Sequence, residues 1–125
     1  MWRGPAHVRY RPWALCAYST PWRQPARLDE IREIARRHGL VFIEDSCESL
    51  GSVYNGKKAG GPDFADAAVF AFYPNKQITT GEGGMIVTGD DHIAALCDSM
   101  RNQGRGEAGV WLAHERLGYN YWIDE

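Results

Sequence analysis

The sequence predicts an α/β domain with a largely parallel sheet. Three observations carry that prediction. An amphipathic helix, "LDEIREIARRHG", runs straight into an apolar stretch of strand length, "LVFIEDS". Two further apolar runs, "DAAVFAFY" and "GGMIVTG", have the same length and no helical period. A second amphipathic stretch, "DDHIAALCDSMRNQG", follows the last of them. Helices alternating with short buried strands are the pattern of sheets covered by helices.

In the first helix Leu28, Ile31, Ile34 and Ala35 fall on one face. Asp29 and Glu30 open it and Arg36, Arg37 and His38 close it, and both placements complement the helix dipole. Gly39 supplies the stop. Leu40 to Ile43 then reads as a strand buried on both faces. It ends in Glu44 and Asp45, and in parallel sheets ligands sit beyond the carboxyl ends of strands. "SVYNGKKAG" predicts a small hairpin, because Asn-Gly is the strongest short turn signal. Ala67 to Tyr73 and Met85 to Thr88 are the second and third strands. Asp90 is a good N-cap for the second helix, whose stripe is Ile93, Leu96, Cys97 and Met100 and whose end is Gly104.

The totals suit one globular domain: 125 residues, 44% hydrophobic and 24% charged. A net charge of −2 argues against a dedicated nucleic-acid binder. The charge is uneven, +5 over residues 1–27 and −7 beyond. The basic stretch also holds Trp2, Trp13, Trp22 and four prolines without a helical or strand period, so residues 1–23 read as irregular. Its apolar part is broken by Pro12 and does not read as a signal peptide. No run reaches the roughly 18 apolar residues of a membrane span. Cys16, Cys47 and Cys97 are odd in number and widely spaced, which fits a reduced, cytoplasmic setting and no zinc site.

"GSVYNGKK" is one residue short of a phosphate-binding P-loop, with Lys58 where Ser or Thr is needed and no helix to follow, so the hairpin reading stands. Asp45 is open to three roles: a solvated carboxylate, a metal ligand, or the partner of a buried cation. Lys76, in "FAFYPNKQITTGEGG", is either a loop charge or a reactive amine. An apolar strand leads into it and glycines follow, a setting that can keep an amine inside a cleft and lower its pKa by desolvation. A buried lysine with a carboxylate at a neighbouring strand end is the pair that pyridoxal phosphate chemistry requires.

The stretches "FIEDSCESLGSVYNGKKAGG", "DAAVFAFYPNKQITTGEGGMIVTGDD", "MRNQGR" and "HERLGYNYWIDE" resemble, in order and spacing, the DegT/DnrJ/StrS family of pyridoxal-phosphate-dependent sugar aminotransferases, of the perosamine-synthetase flavour. The resemblance runs from about Gln24 to Glu125. It implies part of a fold-type-I large domain, a mixed, mostly parallel sheet with flanking helices, over residues 24–125. It implies pyridoxal 5'-phosphate as cofactor, glutamate or a similar amino donor, a nucleotide-linked keto sugar as acceptor, and a homodimer. Lys76 matches the lysine that holds the cofactor covalently, and Asp45 matches the aspartate on the pyridine nitrogen. Glu48 matches a position beside the cofactor ring, and Asn120 an asparagine that reaches the cofactor phosphate of the partner subunit.

Three departures qualify the resemblance. Ala71 stands where many relatives carry a phosphate-binding serine, and Trp122 where relatives carry arginine after "GYNY". Family members are also far longer, so a fragment of the large domain is expected. The competing expectations are a non-catalytic regulatory or cofactor-binding protein and an inactive truncation with unpaired sheet edges and uncovered apolar faces.

Overall fold

The computed structural model describes residues 13–17, 25–106 and 113–121. The chain order is β1 (Trp13–Ala17), α1 (Leu28–Arg37), β2 (Val41–Asp45), β3 (Val53–Tyr54), β4 (Lys57–Lys58), β5 (Ala67–Ala71), β6 (Gly84–Thr88) and α2 (Asp91–Arg101). Strands β1, β2, β5 and β6 form one sheet in that order. The first three run parallel and β6 pairs antiparallel with β5, which makes the sheet mixed.

One element departs from the sequence reading. Residues 1–23 have no strand period, yet Trp13–Ala17 form β1, in register with Val41–Asp45. Backbone pairing with β2 makes this strand, and that pairing leaves no local pattern in "WALCA". The rest of residues 1–23 lies outside the described residues.

The core explains the register of β2. Leu28, Ala35, Phe42, Ala59, Phe64 and Ala65 form one buried cluster, with Ile31, Leu40 and Tyr54 packed on it. Helix α1 and the β3–β4 hairpin therefore cover the sheet face to which Phe42 points. Tyr54 and Phe64 meet edge to face at 5.5 Å, which fastens the hairpin to the loop before β5. Strand β2 is not buried on both faces as expected. Phe42 and Glu44 are fully buried, while Val41, Ile43 and Asp45 are half-buried. The alternation shows a strand with one packed face and one partly open face.

Asp66 locks α1 to the sheet. Its Oδ1 accepts Arg32 Nη1 at 2.7 Å and its Oδ2 accepts the Phe42 amide at 2.8 Å. The expected hairpin turn is present: Asn55 and Gly56 have φ of 48° and 78°, the two positive values that a tight hairpin needs. Asp90 caps α2, its Oδ1 accepting the amides of His92 and Ile93 at 2.8 and 3.1 Å. Strand β5 ends two residues earlier than predicted, at Ala71, where the chain turns toward Lys76. No helix among the described residues is long and apolar enough to cross a membrane.

Candidate active site

Strands β2 and β5 are parallel neighbours, so both open on the same sheet edge. Asp45 is the last residue of β2 and lies opposite Val69. The Ser46 amide donates to the Val69 carbonyl at 2.9 Å and carries the pairing one residue further. Asp45 Oδ1 accepts the Cys47 amide at 3.1 Å, which fixes the carboxylate at the start of the turn after the strand.

The chain returns Lys76 to this edge through a closed loop. At its neck the Phe72 amide donates to the Gly83 carbonyl, and the Phe72 carbonyl accepts the Thr80 amide and the Thr79 hydroxyl, each at 2.9 Å. Inside the loop the Lys76 amide donates to the Tyr73 carbonyl at 3.0 Å, closing a turn over Pro74 and Asn75. The Lys76 side chain is 5% exposed. Its ammonium donates to Glu48 Oε1 in an ion pair and lies 4.6 Å from the centroid of the Tyr73 ring. Gln77 Nε2 donates to the Glu48 carbonyl at 2.9 Å, so two consecutive residues hold Glu48.

The amine is enclosed, as the sequence suggests, but its pKa is raised and not lowered. The hydrogen bond to Glu48 holds Lys76 above the ordinary lysine range; desolvation opposes this and Tyr73 adds to it. The Cys47 thiol is pushed up to about 11, by burial first and then by the hydrogen bond and charge of Asp45, while Lys76 pulls it down.

Glu44 braces this edge from the packed face of the sheet. It is fully buried, and its Oε1 accepts Ser46 Oγ at 2.7 Å and the Gly60 amide at 2.9 Å. Its Oε2 has no hydrogen-bond partner among the described residues. Gly60 has φ +76°, and a Cβ there would lie 2.2 Å from Phe70 Cζ, so only glycine fits. Glu44, Tyr73 and Gln77 were not singled out from sequence. The one signal was adjacency, since they flank Asp45 and Lys76 in "IEDS" and "FYPNKQ".

Asn120 lies elsewhere. It is exposed, forms an antiparallel bridge with Asn102, and lines a cleft of about 880 Å³ with Glu82, Met85, Cys97 and Arg101 on the β6–α2 side. The structure thus brings Lys76, Glu48 and Asp45 to one edge and leaves Asn120 apart from them. Ala71 pairs with Gly84 and offers only a methyl group; Trp122 lies outside the described residues.

Pyridoxal 5'-phosphate needs an amine for its aldehyde, an acid for its ring nitrogen and donors for its phosphate. The enclosed Lys76 amine and the Asp45 carboxylate fit the first two, while Ala71 gives no hydroxyl to the third. The mixed sheet with flanking helices is the α/β fold of the fold-type-I pyridoxal-phosphate-dependent aminotransferases, which the solved relatives below share. The profile of the DegT/DnrJ/EryC1/StrS aminotransferase family matches residues 22–125, and the chain belongs to that family. It is 53% identical over 95 residues to the GDP-perosamine synthase of Caulobacter vibrioides, covering 75% of this chain and 24% of that protein. It superimposes on Helicobacter pylori PseC, an aminotransferase involved in the biosynthesis of pseudoaminic acid, with a TM-score of 0.71 and 33% identity, over 79% of this chain and 26% of PseC. On NtdA of Bacillus subtilis, solved with bound PMP, it superimposes with a TM-score of 0.73 and 26% identity, over 90% of this chain and 24% of NtdA. The chain spans about a quarter of the length of each of these proteins.

Proposed function

We propose that residues 24–125 are the cofactor-holding part of a cytoplasmic aminotransferase that moves an amino group from a donor such as glutamate to the keto group of a nucleotide-linked sugar. The observation that carries this reading is the enclosed Lys76 amine, presented one strand away from Asp45 on a shared sheet edge. Membership of the family and the names of the relatives support the sugar substrate.

In this reading Lys76 binds the aldehyde carbon of pyridoxal 5'-phosphate and Asp45 pairs with its ring nitrogen. The cofactor, when bound, supplies an electron sink for the carbon that loses its proton. The Lys76 amine would act as general base and then general acid toward the proton of the donor's α-carbon. Asp45 would face the ring nitrogen, with its Oδ1 held in place by the Cys47 amide. Glu48 stands beside the amine. In this reading Asn120, which is exposed, would reach the cofactor phosphate of a second subunit in a homodimer.

Adding glutamate to the chain loaded with pyridoxal 5'-phosphate tests the reading. A shift of the cofactor spectrum to the pyridoxamine form is the expected result. A cofactor that binds and stays in the pyridoxal form through many equivalents of each plausible donor would favour the non-catalytic binding protein instead.

A further inference from the structure

Lys76 has few ways to carry its charge in so enclosed a place. Its side chain is 5% exposed, and the anionic group that meets it is Glu48, itself 44% exposed. Among the described residues, the other titratable groups around it are Tyr73, whose ring faces the ammonium, and Cys47, whose neighbour Asp45 lies at the end of β2. Gln77 fixes the Glu48 backbone through its carbonyl, so the carboxylate is presented from an anchored position. The pair therefore joins a nearly enclosed side chain to one that reaches solvent.

We propose that Glu48 is the resting partner of the Lys76 amine, keeping it a paired ammonium until an incoming ligand draws the carboxylate away, so that Glu48 decides when Lys76 becomes a nucleophile. This rests on the reading of Lys76 as the cofactor-holding lysine. In the resting pair Lys76 carries three protons and no lone pair. When Glu48 swings out into solvent, the ammonium loses its counter-charge, gives one proton to water entering beside it, and regains the lone pair that an aldehyde carbon needs. Glu48 is thus a positioning residue that acts through Lys76.

The test needs no cofactor, which separates it from the test of the aminotransferase reading. The chain has three lysines, Lys57, Lys58 and Lys76, and the first two are exposed. Brief labelling with trace acetic anhydride across pH 7–11, read by mass spectrometry, gives the reactivity of each amine. In the wild type Lys76 should need a higher pH than Lys58 to react. In Glu48→Gln its labelling at pH 8–9 should rise severalfold, while Lys57 and Lys58 stay unchanged. Glu48→Asp, which keeps the charge but shortens its reach, should fall between the two and serves if Glu48→Gln loses the fold by circular dichroism. A Lys76 that reacts like Lys58 in the wild type, or that is unmoved by both substitutions, would overturn the proposal.

Discussion

Asp45 and Lys76 leave the carboxyl ends of two hydrogen-bonded parallel strands, and the Ser46 amide bonded to the Val69 carbonyl at 2.9 Å fixes one strand end against the other. The sheet register sets the two strand ends side by side, and the loop closed by Phe72 and Thr80 carries Lys76 from the second of them. Asp45→Ala should weaken binding of pyridoxal 5'-phosphate by about tenfold or more, the scale of one lost charge-assisted hydrogen bond. Fluorescence titration of the cofactor checks this. Asp45→Asn, which keeps the bond to the Cys47 amide but not the charge, should be almost as weak.

Asp66 joins α1 to β2 through two bonds from one carboxylate. Removing it leaves the Phe42 amide without its acceptor next to a fully buried ring. Asp66→Ala should cost about 1–3 kcal/mol of stability, as expected for a backbone donor left unsatisfied. Urea unfolding followed by far-ultraviolet circular dichroism measures it. Arg32→Ala should cost less, because the surviving carboxylate still accepts the Phe42 amide.

Gly60 is held between Phe70 and the Glu44 carboxylate. Gly60→Ala places a methyl group 2.2 Å from Phe70 Cζ and forces a positive φ on an alanine. The overpacking alone should cost about 1–3 kcal/mol. The same unfolding assay should show a loss at least as large as that of Asp66→Ala.

Cys47 is expected to be a sluggish thiol. An unperturbed thiol is half ionised near about pH 8.5. Burial and Asp45 raise Cys47 to about 11, so its reactive thiolate should appear only as the pH climbs toward that value. Alkylation by iodoacetamide, with the modified peptide mapped by mass spectrometry, should accelerate above about pH 10. A rate that levels off near pH 9 would contradict this placement. In Asp45→Ala the onset should move to lower pH, since one cause of the rise is gone.

Much of the fold is legible in the sequence because it is local. The helix "LDEIREIARR" shows its stripe, Asp90 its cap, and Asn55-Gly56 its turn, and each stands where expected. Strand β1 is not legible, since pairing with β2 alone makes it. The open side of β2 was misread for a related reason: an apolar run reports strand length but not what covers each face. At the site, the strand end marks Asp45 and the following glycines mark Lys76. The pKa of Lys76 shifts opposite to the direction that desolvation alone gives. Desolvation is visible in the apolar approach of β5, but the opposing Glu48 comes from a turn 28 residues away and is brought in by the sheet. Glu44 resembles any strand-end acid until its burial and its bond to Gly60 are seen.

The central claim is that Lys76 is the cofactor-holding amine. Incubating the chain with pyridoxal 5'-phosphate, reducing with borohydride and mapping the product by mass spectrometry tests it most directly. The account predicts a phosphopyridoxyl label on Lys76, absent in Lys76→Ala and far above any label on Lys57 or Lys58. A folded chain labelled equally on all three lysines, or on Lys57 and Lys58 alone, would contradict it.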